Sequence, residues 1–160
     1  MDVPDLSDEL SSVIPGILYL SGFNPSNKLE ILNDYMIRRI LRFGDVEDFT
    51  NTYDYFEGFE YLNIIIRDSS KSHFTKYLID QCIDFIDNAG GPVLVHCYAG
   101  ISRSATVVIA YLMWKRKIVM REARLFVKSK RESISPNSTF ISDLMEFSKV
   151  HCIHQANPIH

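Results

Sequence analysis

The chain has 160 residues, 46% hydrophobic, 12% aromatic and 23% charged, with a formal net charge of −3. This suits one soluble domain with a sizeable core and excludes a disordered or fibrous chain. A protein held to nucleic acid or to an anionic membrane mainly by charge would be basic, so neither is an expected partner.

Residues 1–12 are polar and are expected to form a loose arm. They show no basic n-region and no apolar segment, so no signal peptide is expected, and Asp2 instead of Gly removes N-myristoylation. Gly16-Ile17-Leu18-Tyr19-Leu20 predicts a short strand and Ser21-Gly22-Phe23-Asn24-Pro25 a turn. Residues 26–35 suit a helix, Ile37 to Phe43 a strand carrying Arg38, Arg39 and Arg42, and Phe59 to Ile66 a further strand. A polar loop from Arg67 to His73 then leads into a helical pattern of Phe74, Tyr77, Leu78, Cys82, Phe85 and Ile86, stopped by Gly90-Gly91. Pro92-Val93-Leu94-Val95-His96 reads as a buried parallel strand. Residues 103–115 are apolar nearly all round, as in a helix at the centre of a domain, and residues 119–130 are amphipathic. Pro136 at a first helical position, with Ser135 as N-cap, opens a last helix through about Val150, with Phe140, Ile141, Leu144 and Phe147 on its core face. The alternation predicts a single α/β domain: a central, mostly parallel twisted sheet of about five strands flanked by helices.

The longest apolar stretch, Ala105 to Trp114, is about half the roughly 20 residues of a membrane span. Cys82, Cys97 and Cys152 have no paired spacing, which speaks against a disulfide scaffold and for a reducing, cytoplasmic or nuclear compartment.

Chemistry concentrates in His96-Cys97-Tyr98-Ala99-Gly100-Ile101-Ser102-Arg103-Ser104, where a buried strand ends and a buried helix begins. Ligands of open parallel sheets bind at the carboxyl ends of strands, often against a helix N-terminus. A tight loop there, with Gly100 at its middle, turns backbone N–H groups of Cys97 through Arg103 into one concavity that suits a tetrahedral anion. Arg103 adds a planar fork for two phosphate oxygens. The same positive surroundings favour a thiolate on Cys97, which could attack phosphorus and form a phosphocysteine. No metal or other cofactor is needed, and none is suggested by the spacing.

This segment resembles the Cys-x5-Arg phosphate loop of the cysteine-based protein phosphatases, and its Ala99-Gly100 and Ser102-Arg103-Ser104 the dual-specificity branch. Ile14-Pro15-Gly16-Ile17-Leu18-Tyr19-Leu20 is similar to that family's opening strand, Ala110-Tyr111-Leu112-Met113 to its central helix, and Ser135-Pro136-Asn137 with Phe140 and Leu144 to its last helix. The resemblance runs from about residue 13 to 150 and implies a catalytic domain there, with residues 151–160 as a tail and no kinase-docking domain ahead of it. The expected reaction is hydrolysis of phosphotyrosine and phosphoserine or phosphothreonine on proteins, by a monomer as the simplest state. The leaving group needs a proton from a carboxylic acid on the same sheet edge as the cysteine. Asp68 follows a strand joined to residues 92–96 by one crossover helix, which makes the two parallel and brings Asp68 to that edge; the family's acid also sits on this loop. The resemblance further implies that Ser104 donates to the sulfur, that His96 orients the loop and tunes the cysteine, and that Asn137 supports the loop.

Other features read as structure. Cys82 sits on the core face of a helix, which favours packing over a resolving role towards an oxidised Cys97. His151-Cys152-x-His154 is a weak metal pattern, because adjacent side chains converge poorly on one ion. Asn137-Ser138-Thr139 matches a glycosylation acceptor but is better explained as a helix first turn. Ser21, Arg42 and Glu132 depart from the family pattern and are expected to affect fold details and surface charge only. A phosphoinositide or RNA 5′-phosphate substrate would suit a more basic loop than the uncharged Tyr98, Ala99 and Ile101. A phosphoprotein-binding module without turnover would usually lack the cysteine, and a rhodanese-type loop would not require both Asp68 and Arg103.

Overall fold

A computed structural model describes residues 9–151. The strands are β1 (Ser11–Ile14), β2 (Leu18–Ser21), β3 (Arg39–Gly44), β4 (Glu60–Ile65) and β5 (Val93–His96), and the sheet order is β1-β2-β5-β3-β4. β2, β5, β3 and β4 run parallel, and β1 pairs antiparallel to β2 at one edge. The helices are α1 (Phe23–Ser26), α2 (Leu29–Asp34), α3 (Lys76–Asp87), α4 (Arg103–Arg116), α5 (Met120–Lys130) and α6 (Ser138–Val150). Among the described residues no helix is long and apolar enough to cross a membrane.

Strand alternation sends side chains to two cores. Leu18, Leu20, Leu41, Phe43, Val93 and Val95 face the larger one, filled by α3 to α6. α4 is buried from Arg103 through Met113, as its all-round apolar composition predicted. Tyr19, Ile40 and Leu94 face a smaller core with Leu32 and Ile37, closed by Phe56, Phe59 and Tyr61. The parallel strands place the chain after β2, β3, β4 and β5 on one sheet edge, so residues 22, 45, 66–68 and 97 meet there.

Three boundaries differ from the sequence expectations. The arm was expected to extend through residue 12, but Ser11 and Ser12 belong to β1, paired with Leu20 and Tyr19. Serine carries little strand signal by itself; pairing with β2 and burial of the neighbouring Val13 decide the conformation. The helix expected over 26–35 is the shorter α2, and the segment expected as a turn at Ser21-Gly22-Phe23-Asn24-Pro25 contains most of the short helix α1. The last helix begins two residues later than Ser135-Pro136 suggested: Asn137, in extended conformation, caps α6 by accepting at Oδ1 from the N–H of Phe140. A π-helical turn at Asp48–Thr52 had no counterpart in the sequence reading.

Candidate active site

The turn from β5 into α4 is built by anchoring its carbonyls on the outside. Cys97 O lies 3.0 Å from His96 Nδ1, Tyr98 O accepts from the N–H of Phe23 (3.0 Å), and Ile101 O accepts from the N–H of Ser135 (2.8 Å). Arg131 donates from Nη2 to Ala99 O (3.2 Å) and from Nε to Gly100 O (2.9 Å). Ser102 O accepts from both the N–H and the hydroxyl of Thr106. With every carbonyl from Cys97 to Ser102 satisfied in this way, the N–H edge of the turn is the one left for the concave side. Gly100 makes the bend possible: its φ is +70°, and a Cβ there would sit 2.5 Å from the carbonyl carbon of Ser21.

Cys97 Sγ lies 3.0 Å from Ser104 Oγ, and the N–H of Gly100 donates to it at 3.2 Å. The sulfur thus has two polar neighbours and the first turn of α4, whose N–H groups have no partner within the helix. Asp68 Oδ1 accepts from Ser102 Oγ at 2.7 Å and from Asn137 Nδ2 at 2.8 Å, and Ser102 Oγ also accepts from the N–H of Asn137. The residue 34 positions before Ser102 in the chain is therefore fastened to the loop by two side chains. Arg103 donates from Nη1 to Ile66 O (2.9 Å) and to Asp45 Oδ1 (3.2 Å). Asp45, Asp48 and Asp68, together with loop residues that include Cys97, Ser102 and Arg103, line a cavity of about 280 Å³. Tyr98 is a half-exposed rim residue, its ring 4.8 Å from that of Phe23.

The structure therefore brings together Cys97, Tyr98, Ala99, Gly100, Ile101, Ser102, Arg103, Ser104, Asp68, His96 and Asn137. The carboxylates of the crossover helix lie elsewhere: Asp87 pairs with Lys115 and Asp80 with Lys76. Of the pattern His151-Cys152-x-His154, the last two residues fall outside the described ones, and His151 Nε2 is 3.2 Å from Asp80. Cys82 is fully buried in the larger core, and burial pushes its thiol up to about 12.

Sequence reasoning missed two arginines here. Arg42, expected to be a surface-charge change, is fully buried and is the cross-strand partner of His96. Its Nε donates to His96 Nε2 at 2.9 Å, Nη1 to Asp54 O at 2.8 Å and Nη2 to Ser26 Oγ at 3.3 Å. The rings of Tyr53, Tyr55 and Tyr61 surround its guanidinium at 5.1, 5.0 and 4.6 Å. Burial and the adjacent guanidinium hold His96 down at about 3. Arg131 is also buried, and its Nη1 continues to Glu9 O and Ser11 Oγ, tying the phosphate loop to β1. Ser21 likewise lies buried beneath Gly100, whereas Glu132 is exposed.

A thiol beneath the N–H edge of a tight strand-to-helix turn, on the carboxyl edge of such a sheet, is the architecture of a cysteine-based phosphatase domain. The family model "Dual specificity phosphatase, catalytic domain" matches residues 18–150, and the chain belongs to that family. Dual specificity protein phosphatase 1 of Homo sapiens is 38% identical over 147 residues, covering 87% of this chain and 38% of its own length. Dual specificity protein phosphatase 1 of Arabidopsis thaliana is 37% identical over 145 residues, covering 89% of this chain and 71% of its own length. The crystal structure of the human tyrosine phosphatase-like serine/threonine/tyrosine-interacting protein matches with a TM-score of 0.84 at 31% identity, over 91% of this chain and 99% of that one. The chain spans between 35% and 40% of the length of dual specificity protein phosphatase 1-A of Xenopus laevis and of dual specificity protein phosphatase 1 of Homo sapiens and Mus musculus.

Proposed function

We propose that this chain hydrolyses phosphate monoesters on phosphotyrosine and on phosphoserine or phosphothreonine of proteins, through a phosphocysteine on Cys97. The observation that carries the reading is the anchored loop: its carbonyls are tied outward while a thiol stands beneath its N–H edge. An incoming phosphate dianion meets those N–H groups and the Nε/Nη2 edge of Arg103, whose Nη1 is already held by Ile66 O and Asp45. The Cys97 sulfur attacks phosphorus opposite the ester oxygen; the S–P bond forms as the P–O bond breaks. Asp68, at the mouth, gives its proton to the departing oxygen, and in the second half removes one from the attacking water. The S–P bond then breaks, and the hydroxyl of Ser104, 3.0 Å from the sulfur, stabilises the thiolate that leaves. Inorganic phosphate is the product, and no metal or cofactor enters the sequence. The substrates are phosphorylated proteins, and a reducing cytoplasmic or nuclear compartment keeps Cys97 a thiol.

The test is phosphate release from an aryl phosphate in mildly acidic buffer with a chelator. Cys97→Ser is expected to abolish turnover and Asp68→Asn to slow it about 10²–10⁴-fold, the usual worth of a general acid. Phosphotyrosyl and phosphothreonyl peptides, phosphoinositide vesicles and an RNA 5′-phosphate, run in parallel, separate the substrate classes. A reduced protein that binds phosphopeptide through Arg103 without turnover would make the chain a reader of phosphate and overturn the proposal.

A further inference from the structure

The buried Arg42 has a hydrogen-bonding situation that fixes the chemical state of its neighbour. An arginine Nε can only donate, so His96 Nε2, 2.9 Å away, must present its lone pair. A carbonyl oxygen can only accept, so His96 Nδ1, 3.0 Å from Cys97 O, must carry the hydrogen. Both ends of the ring give the same answer: a neutral imidazole protonated on Nδ1. Adding a second proton would set Nε2–H against the guanidinium N–H, in agreement with the depressed affinity of this ring for a proton.

Among the described residues the guanidinium itself has no carboxylate partner. Its hydrogen-bond partners are an imidazole nitrogen, a backbone carbonyl, a serine hydroxyl and the Tyr55 side chain, and the rings of Tyr53, Tyr55 and Tyr61 surround it. A buried cation with no neutralising partner is costly to keep. A role confined to packing would be served better by an apolar side chain. Arg42 and His96 are direct register partners on adjacent parallel strands, and Cys97 is the next residue on the chain.

We propose that Arg42 is a positioning residue for the nucleophile: it locks His96 in the Nδ1–H form, so that the ring donates permanently to the carbonyl of Cys97. That donation pins the first carbonyl of the phosphate loop outward and withdraws electron density from the peptide next to the sulfur, favouring the thiolate. The inference rests on Cys97 as nucleophile. Other charged or titratable groups lie around the same site: Tyr53 beyond the π-helical turn and Arg131 beyond α5 interact electrostatically with Cys97, and Arg103, Asp45, Asp48 and Asp68 line the cavity with it. Tyr53 packs edge-on against His96, with ring centroids 4.8 Å apart, and spends its hydroxyl on Phe43 O. None of these supplies a donor to His96 Nε2 in the structure.

The first experiment needs no variant: long-range 15N–1H correlation on histidine-labelled protein, with His96 assigned by its loss in His96→Asn. Between pH 5 and 8 the ring is expected to be protonated on Nδ1 alone; a proton on Nε2 overturns the proposal. In Arg42→Met the tautomers are expected to mix. Alkylation of Cys97 by iodoacetamide at pH 6 should fall about tenfold, the equivalent of about one pH unit, while its plateau at high pH is unchanged. Arg42→Lys, which can still donate, should recover most of that loss. In the His96→Asn background Arg42→Met should change the rate by less than about twofold, because its effect travels through the ring. A folded Arg42→Met with the wild-type alkylation profile and a single tautomer overturns the inference. Should that variant fail to fold, the wild-type tautomer and Arg42→Lys still decide it. The nucleophile reading fails by a different result, turnover retained in Cys97→Ser, which leaves the tautomer measurement untouched.

Discussion

Gly100→Ala tests the loop geometry most directly, because the structure separates two costs. The first is backbone strain: an L-residue at φ +70° costs roughly 1–2 kcal/mol. The second is collision. The new methyl would lie 2.5 Å from Ser21 C and 2.6 Å from both Ser21 O and Gly22 N. These are backbone atoms at the end of β2, which cannot swing away like a side-chain tip, so the upper part of the usual 1–3 kcal/mol for overpacking applies. The sum is about 3–5 kcal/mol, a large share of the roughly 5–15 kcal/mol that holds a domain together. Gly90 provides the control. It has φ +67° but nothing within 4 Å of its would-be Cβ, so Gly90→Ala should cost the strain alone. Urea unfolding of both variants measures the difference, expected at about 2–3 kcal/mol. Aryl phosphate turnover should collapse in Gly100→Ala, since the N–H of Gly100 that donates to Cys97 Sγ is displaced, and should persist in Gly90→Ala. Equal destabilisation by the two substitutions would refute the close approach of loop and β2.

Three further outcomes follow. His96 takes up a proton near 6.5 when unfolded but only near about 3 when folded, so the unfolded state binds more protons between those values; its share of stability is complete above pH 6.5 and is lost as pH falls. Unfolding free energy measured from pH 6.5 down to 4 should drop by about 1 kcal/mol per pH unit on this account, with a shallower slope in His96→Asn. Ser104→Ala should slow breakdown of the phosphoenzyme about a hundredfold while sparing its formation, giving a rapid burst of aryl alcohol before slow turnover in a stopped-flow trace; loss of the burst itself would assign Ser104 to the first half-reaction. Asp45→Asn removes a carboxylate from the cavity lining and from Arg103 Nη1, and inhibition by inorganic phosphate should tighten about fivefold, as one charge at high effective dielectric is worth about 1 kcal/mol; an unchanged inhibition constant would remove Asp45 from the site's electrostatics.

The parts of the site that lay open to sequence reading are those whose chemistry travels with residue type. A cysteine and an arginine bracketing Gly100 between an apolar run and an apolar helix declare a strand, a bend and a buried helix together. The route from Asp68 to the loop was also legible, because a crossover helix forces parallel strands. What anchors the loop was not. Phe23 and Ser135 act through backbone N–H groups, which every residue has, so their identity carries no signal. Arg42 and Arg131 misread for the opposite reason: a charged side chain in a strand or after an amphipathic helix looks solvated, and only tertiary structure reveals the tyrosine faces and stray carbonyls that receive it. β1 and the cap of α6 are smaller cases of the same effect, in which pairing with β2 and the Asn137–Phe140 hydrogen bond override the local Ser-rich and Ser-Pro patterns.

The outward anchoring of the phosphate loop also bears on how the domain matures. Its donors come from residues 23, 96, 106, 131 and 135, spread over most of the described chain. No peptide fragment containing Cys97 alone could hold that bend, and a nascent chain lacking α5 would leave the carbonyls of Ala99 and Gly100 without Arg131. The surroundings of the Cys97 thiol therefore depend on contacts distant in sequence, the kind that close slowly. A partly folded molecule carries Cys97 without that bend, and the anion binding proposed above would report completion of the whole fold.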